Sequence, residues 1–399
     1  MDNTNFLEDY TKLHEGTEVP DIFALWCGVS GLSAMLGRRV FLDMGPFTIY
    51  PNVFVVLVAG SGRCRKSTAV KAVRRLIVQT EVPPKIIAQK ITPEALIDAL
   101  RTQEKKDGKI LVKRCEGFVF ADELSTFLNK KTYESGLSSL LIQFYDCEDR
   151  FEYHTRGRGK EVAHNVCLGL LGASTVDWIR NAIPFDAIGG GLTSRIIFVY
   201  VEKPPPPVAV PRYTEEKLGL MEKMVRHLRM VARLKGEVKL TKEAWDFYKE
   251  SYDTFYVSSP FFDEENLSGY ASRRHVHLLK VGMAFASSEL SINKEGHLLV
   301  ERKHLEGSEL LLSESEKLMP RVLALISSSE KGSLVEALYN KILSKGSRGM
   351  RKDEIVRSLS HRLSARDIND IIDILVHSNR IRLTLRDGKA FYHPTKPLP

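Results

Sequence analysis

Lys66 and Ser67 close a loop that bears two glycines, Gly60-Ser61-Gly62-Arg63-Cys64-Arg65. Asp122 and Glu123 close an apolar run, Gly117-Phe118-Val119-Phe120-Ala121. An ammonium and a hydroxyl behind a row of backbone N–H groups suit a nucleoside triphosphate. Residues 60 to 68, Thr68 included, would cradle the phosphates, Lys66 would reach the β- and γ-phosphates, and Ser67 would ligate Mg²⁺. Asp122 would share that metal, and Glu123 would polarise the attacking water as general base. ATP and Mg²⁺ are the expected cofactors.

These groups act together only if the chain places them on one edge of a sheet. Val53-Phe-Val-Val-Leu-Val58 reads as a buried parallel strand and Thr68 to Arg75 as the following helix, so the loop lies at a positive helix terminus. Where the usual G-x-x-x-x-G-K-[ST] pattern has its second glycine, this chain has Arg65. If that position needs φ > 0, arginine raises the energy by about 1 kcal/mol or more, and either the loop winds differently or nucleotide binding is impaired. The plainer alternative is a Gly/Ser loop joining an ordinary strand and helix. For Asp122 and Glu123 the alternative is an acidic helix cap.

A third apolar run, Asn165 to Ser174, ends in Ser174-Thr175. Ligands of open α/β sheets gather at such carboxyl ends. Ser174 or Thr175 would therefore sense the γ-phosphate or orient the water, or else cap a helix that starts near Val176. After Gly189-Gly-Gly191, Arg195 opens a last strand, Ile196 to Tyr200. It is positioned either as an arginine finger offered to a neighbouring subunit's nucleotide or as a strand-start arginine in a surface ion pair.

In this order, phosphate loop, Asp-Glu strand, polar strand tip and Ser-Arg before a final strand resemble the AAA+ ATPases, particularly the superfamily-three ring helicases of viruses and mobile elements. Arg-Lys-Ser after a Pro-Asn-led strand, with Ala-Asp-Glu, Leu-Gly-Ala-Ser and Ser-Arg-Ile-Ile-Phe-Val, is similar to phage and prophage P-loop proteins commonly attached to primases. In that family arginine before the lysine is frequent. The resemblance spans roughly residues 20 to 320. It implies a homo-oligomeric ring, a hexamer, with ATP bound between subunits and single-stranded DNA in the channel. By the same resemblance, the insertion Arg150 to His164 is a channel hairpin whose Arg156, Arg158 and Lys160 contact phosphates. Glycine joints, three cations and nearby Tyr153 and His154 suit backbone tracking, with a solvated turn as the alternative. Lys130 and Lys131 are weaker candidates of the same kind.

With 399 residues the chain exceeds one ordinary core, and 43% hydrophobic with 27% charged residues is globular usage. No apolar run approaches a membrane span, the first residues lack signal-peptide features, and the five cysteines show no paired spacing. A cytoplasmic protein is expected. The net charge of +8 is uneven: residues 341 to 399 hold 13 Lys+Arg against 6 Asp+Glu. Two helical patterns there precede Arg380 to Leu385, a turn at Arg386-Asp-Gly-Lys389, and a returning strand. That is a winged-helix pattern, suited to duplex DNA or to protein docking.

The expected fold is thus α/β: a P-loop NTPase, AAA+-like parallel sheet core with a helical lid and a C-terminal winged-helix domain. Residues 1–50 form a helical and hairpin segment, with an amphipathic helical stretch from Asp21 to Leu36 and then a short hairpin through Met44-Gly-Pro, and 51–203 form the ATPase core. A Pro204–Pro207 linker leads to the lid at 210–328, with helices at 214–236, 241–256, 270–290 and 303–327. The basic domain is 334–399. Arg273 and Arg274 are either lid arginines reaching the nucleotide or part of an exposed basic turn. The expected activity is that of an ATP-driven replicative DNA helicase working with a primase or other replication proteins. The alternative is a DNA-binding ATPase switch that does not unwind.

Overall fold

The computed structural model describes residues 5–395 apart from 89, 107–108, 130–135, 156–158, 183–190, 328–329, 360–364 and 387–388. It divides into two compact units, Met1–Ile326 and Ser327–Pro399.

The first unit is built on a six-stranded, mainly parallel sheet. Its strands are β1 (Phe54–Val58), β2 (Ile86–Ile87), β3 (Arg101–Lys106), β4 (Lys109–Ala121), β5 (Val166–Ser174) and β6 (Ile196–Tyr200). The parallel order is β6-β1-β5-β4-β2, and β3 pairs antiparallel with β4. All residues of β1 and β5 are buried, as expected of strands covered on both faces. Gly169 lets β5 lie beside β4, since a Cβ there would sit 2.2 Å from the Phe118 ring. Register aligns the strand ends: Val58 pairs with Ser174, and Ala121 pairs with Gly172. The tip of β5 therefore lies between the end of β1 and the end of β4.

Helices α1 (Phe6–His14), α2 (Asp21–Leu36) and α3 (Lys66–Val78) pack with this sheet in one hydrophobic core. The amphipathic reading of α2 is corrected: every residue from Trp26 to Leu36 is buried. A helix apolar all round belongs inside. Gly31 permits its close crossing with α3, where a Cβ would meet Val73 at 2.5 Å. Val40–Asp43 and Thr48–Ile49 form the short antiparallel hairpin expected after it.

Beyond the proline linker, helices span Glu215–Val231, Lys242–Ser258, Arg274–Ser288, Arg302–Glu316 and Met319–Ser327. The last expected helix is split in two because Pro320 cannot continue a helix but is tolerated in a first turn. These helices share the core of the sheet, and Trp26 Nε1 donates to Ser315 Oγ at 2.8 Å.

The second unit has its own hydrophobic core. Its order is helix Glu330–Leu343, strand Met350–Arg351, helices Lys352–Leu359 and Ala365–His377, then strands Ile381–Arg386 and Lys389–Pro394. The three strands form an antiparallel sheet with Lys389–Pro394 in the middle. Among the described residues no helix is long and apolar enough to cross a membrane.

Candidate functional site

The loop from Ala59 to Arg65 turns through three positive-φ residues, Gly62 (67°), Cys64 (58°) and Arg65 (42°). Arg65 adopts the left-handed geometry in which glycine is favoured, with ψ at 35°. Its side chain is anchored: Nε donates to Glu18 Oε2 at 2.8 Å and Nη2 to Glu18 Oε1 at 3.1 Å. The hydrogen bond from Arg65 holds the Glu18 carboxyl below its ordinary range. Glu18 also accepts from the Val208 amide at 3.2 Å, so one carboxylate joins the Gly60–Arg65 loop to the chain leaving the proline linker. Cys64 is buried beneath the loop, and burial pushes its thiol up, away from thiolate chemistry.

Lys66 opens α3 and folds back over the loop. Its Nζ donates to Gly60 O at 2.8 Å, Ala59 O at 3.1 Å and Arg63 O at 3.4 Å. Only 8% of the residue is exposed, and burial lowers its pKa. These carbonyls hold the ammonium as neutral acceptors. An anionic phosphate oxygen offers it a charge-assisted bond instead.

At the end of β4, the Asp122 carbonyl accepts from Ser67 Oγ at 2.6 Å, and its Oδ2 pairs with Lys71 Nζ at 2.9 Å. Glu123 occupies the N-cap of helix Leu124–Phe127, yet its side chain makes no capping bond. It accepts from Ser125 Oγ at 2.7 Å instead. At the β5 tip the two hydroxyls differ in their partners. Thr175 Oγ1 accepts from the Trp178 amide at 3.3 Å and caps the next helix, whereas Ser174 is buried and donates only to Thr175 O, at 3.3 Å. Ser61, Gly62, Lys66, Ser67, Asp122, Glu123 and Ser174 line one open cleft of about 390 Å³, together with Ser125, Thr175 and Trp178.

Of the other loop residues, Gly60 and Arg63 are exposed. Arg65 and Thr68 line a second cavity, of about 320 Å³, with His14, Glu18, Val19, Pro211 and Tyr213. The sequence reading missed this cavity, Lys71, Ser125 and Trp178. For Lys71 a signal existed, since it stands four residues after Ser67 and so on the same helical face.

The residues at Asp122 fit magnesium. Among the described residues no three His, Cys, Asp or Glu cluster as an all-protein metal cage. One hydroxyl and one carboxylate that already attracts a cation suit an ion that keeps waters and takes its remaining ligands from phosphate.

Arg195 differs from the finger expectation. It is 6% exposed and held within its own chain. Nε donates to Asp146 Oδ1 at 2.9 Å, Nη2 to Asp146 Oδ2, and Nη1 to Gly191 O at 2.6 Å. It precedes β6, on the sheet edge opposite the cleft. Arg274 is likewise internal, donating to Glu316 at 2.8 Å and to Glu309 at 2.7 and 2.9 Å, above the Phe255 ring. Neither the lid role nor the exposed-turn alternative describes it. Arg273 is half-buried. The expected hairpin is present, with Arg150 opposite His164 and Thr155 opposite Gly159. Arg156 and Arg158 lie outside the described residues, as do Lys130 and Lys131, while Lys160 pairs with His154 along the backbone. No family model matches the sequence, and no curated protein matches it.

Proposed function

We propose that the protein is a magnesium-dependent ATPase that works on nucleic acid. The observation that carries this reading is the convergence of Lys66, Ser67, Asp122, Glu123 and Ser174 on one cleft at the carboxyl edge of the sheet. On nucleotide binding, Lys66 exchanges loop carbonyls for phosphate oxygens. Magnesium, when bound, neutralises charge developing on the phosphates. Glu123 accepts the proton of the attacking water, and Ser174 orients that water.

The second cavity suits the nucleobase. It adjoins the first turn of α3 through Arg65 and Thr68 and offers Val19, Pro211 and the exposed Tyr213 as apolar and stacking walls. His14 there has no partner for its buried Nε2, and burial lowers its pKa to about 4. It is therefore neutral at physiological pH.

Basic charge in residues 341–399 supports the nucleic-acid part. So does the exposure of Arg382 and Arg386 on the strand Ile381–Arg386. We read the second unit as a winged helix for duplex DNA, the helical block after the linker as a lid, and the Arg150–His164 hairpin as a single-strand contact. The finer proposal is the ring helicase of the AAA+ and superfamily-three likeness, a hexamer acting with replication proteins. The intramolecular pairing of Arg195 favours a second reading, a DNA-binding ATPase switch that does not unwind, because it withholds the cation a ring would share between subunits.

Steady-state ATPase measured with and without single-stranded oligonucleotide separates the two. Stimulation by the oligonucleotide is the expected result. Turnover indifferent to single strands, with ATP-dependent binding to duplex, would favour the switch.

A further inference from the structure

Lys71 has no place in the phosphate chemistry described above, yet it touches the site. On α3 it stands one turn after Ser67, and both side chains reach Asp122: Ser67 Oγ to the carbonyl at 2.6 Å, Lys71 Nζ to Oδ2 at 2.9 Å. The carboxylate that a divalent cation would share with Ser67 thus already carries a monovalent cation from the protein itself. Lys66, in turn, is engaged with the carbonyls of its own loop. Each group that would meet the metal-complexed triphosphate has an internal partner that must be displaced.

We infer that Lys71 is a positioning residue that competes with magnesium for Asp122 and so sets the metal concentration at which the site loads. This rests on the nucleotide reading of the cleft. The competition is weak, as a switchable contact requires. Lys71 is 64% exposed and the Asp122 side chain 30%, so water and salt screen their attraction. A divalent ion that also ligates phosphate displaces it, and a free nucleotide without metal leaves it in place. The pair keeps the Asp122 carboxylate compensated and oriented toward α3 while the cleft awaits its ligand.

The test is equilibrium binding of N-methylanthraniloyl-ATP, followed by fluorescence at fixed ionic strength while MgCl₂ is titrated. Wild type is compared with Lys71→Met, which keeps the stem and removes the charge, and Lys71→Arg, which keeps the charge. Lys71→Met is expected to lower the magnesium midpoint by about two- to fivefold, the range an exposed ion pair supports, and Lys71→Arg to stay near wild type. An unchanged or raised midpoint in Lys71→Met overturns the inference. So does loss of nucleotide binding at saturating magnesium, which would make Lys71 a phosphate ligand. Absence of magnesium-dependent binding in the wild type would instead strike the nucleotide reading itself.

Discussion

Glu123→Gln is expected to lower ATP turnover by roughly 10²- to 10⁴-fold, the range that a positioned general base contributes, while nucleotide binding is retained. The substitution preserves shape, and Gln can still accept from Ser125 Oγ, the contact that Glu123 makes at 2.7 Å. What it removes is a carboxylate able to take a proton at the cleft formed by the β1, β4 and β5 ends. Steady-state phosphate release, paired with fluorescent-nucleotide binding, reads both halves. Turnover within a few-fold of wild type would remove Glu123 from the chemistry and leave it as the cap residue of helix Leu124–Phe127.

The second large effect concerns stability rather than chemistry. Arg274 is 2% exposed and binds two carboxylates, Glu309 and Glu316, the latter also accepting from Tyr270 Oη at 2.8 Å. Replacing it by methionine leaves carboxylates without their counter-charge, in surroundings where Glu316 is 7% exposed. The expected loss is about 3–5 kcal/mol, the cost of breaking a buried pair from one side. It should appear as a lower denaturation midpoint, whereas Arg273→Met, at a half-buried site, should change stability less.

Acidification supplies a second readout of the same cluster. Burial pushes the Glu309 pKa up, but the hydrogen bond from Arg274 outweighs it, and the folded value lies below the ordinary 4.5. A depressed carboxylate stabilises the fold above its unfolded pKa and loses that contribution as pH falls through the folded value. The gap between wild type and Arg274→Met should therefore be widest above pH 4.5 and shrink below it. A gap independent of pH would mean that lost packing, not charge, dominates.

Features set by local pattern were legible in the sequence. β1 was readable from five consecutive apolar, mostly β-branched residues, α3 from the Lys-Ser start and its apolar spacing, and the Arg150–His164 hairpin from its glycine-bearing turn. β3 was missed although Arg101–Lys106 and Lys109 onward flank Asp107-Gly108, a strong hairpin signal. Its charged residues carry no period-two apolar pattern, and the long partner strand β4 supplies the pairing. The burial of every residue from Trp26 to Leu36 in α2 depends on enclosure by other elements of the core, which no single window encodes.

At the site, residue types and spacing identified the cleft-lining groups but not their partners. Arg195 is legible as a candidate, but its pairing with Asp146, 49 residues earlier, is not. Arg65 was recognised as a strained position, yet the compensation comes from Glu18, 47 residues away. Long-range ion pairs such as these are tertiary facts that spacing along the chain does not encode.

Binding of N-methylanthraniloyl-ATP to wild type and to Lys66→Ala, each with and without MgCl₂, tests the central claim most directly. Saturable, magnesium-strengthened binding in the wild type, weakened at least about tenfold in Lys66→Ala as expected for loss of a charge-assisted contact, is the predicted result. Equal binding by the two proteins, or none by either, would contradict the assignment of the cleft to a nucleoside triphosphate.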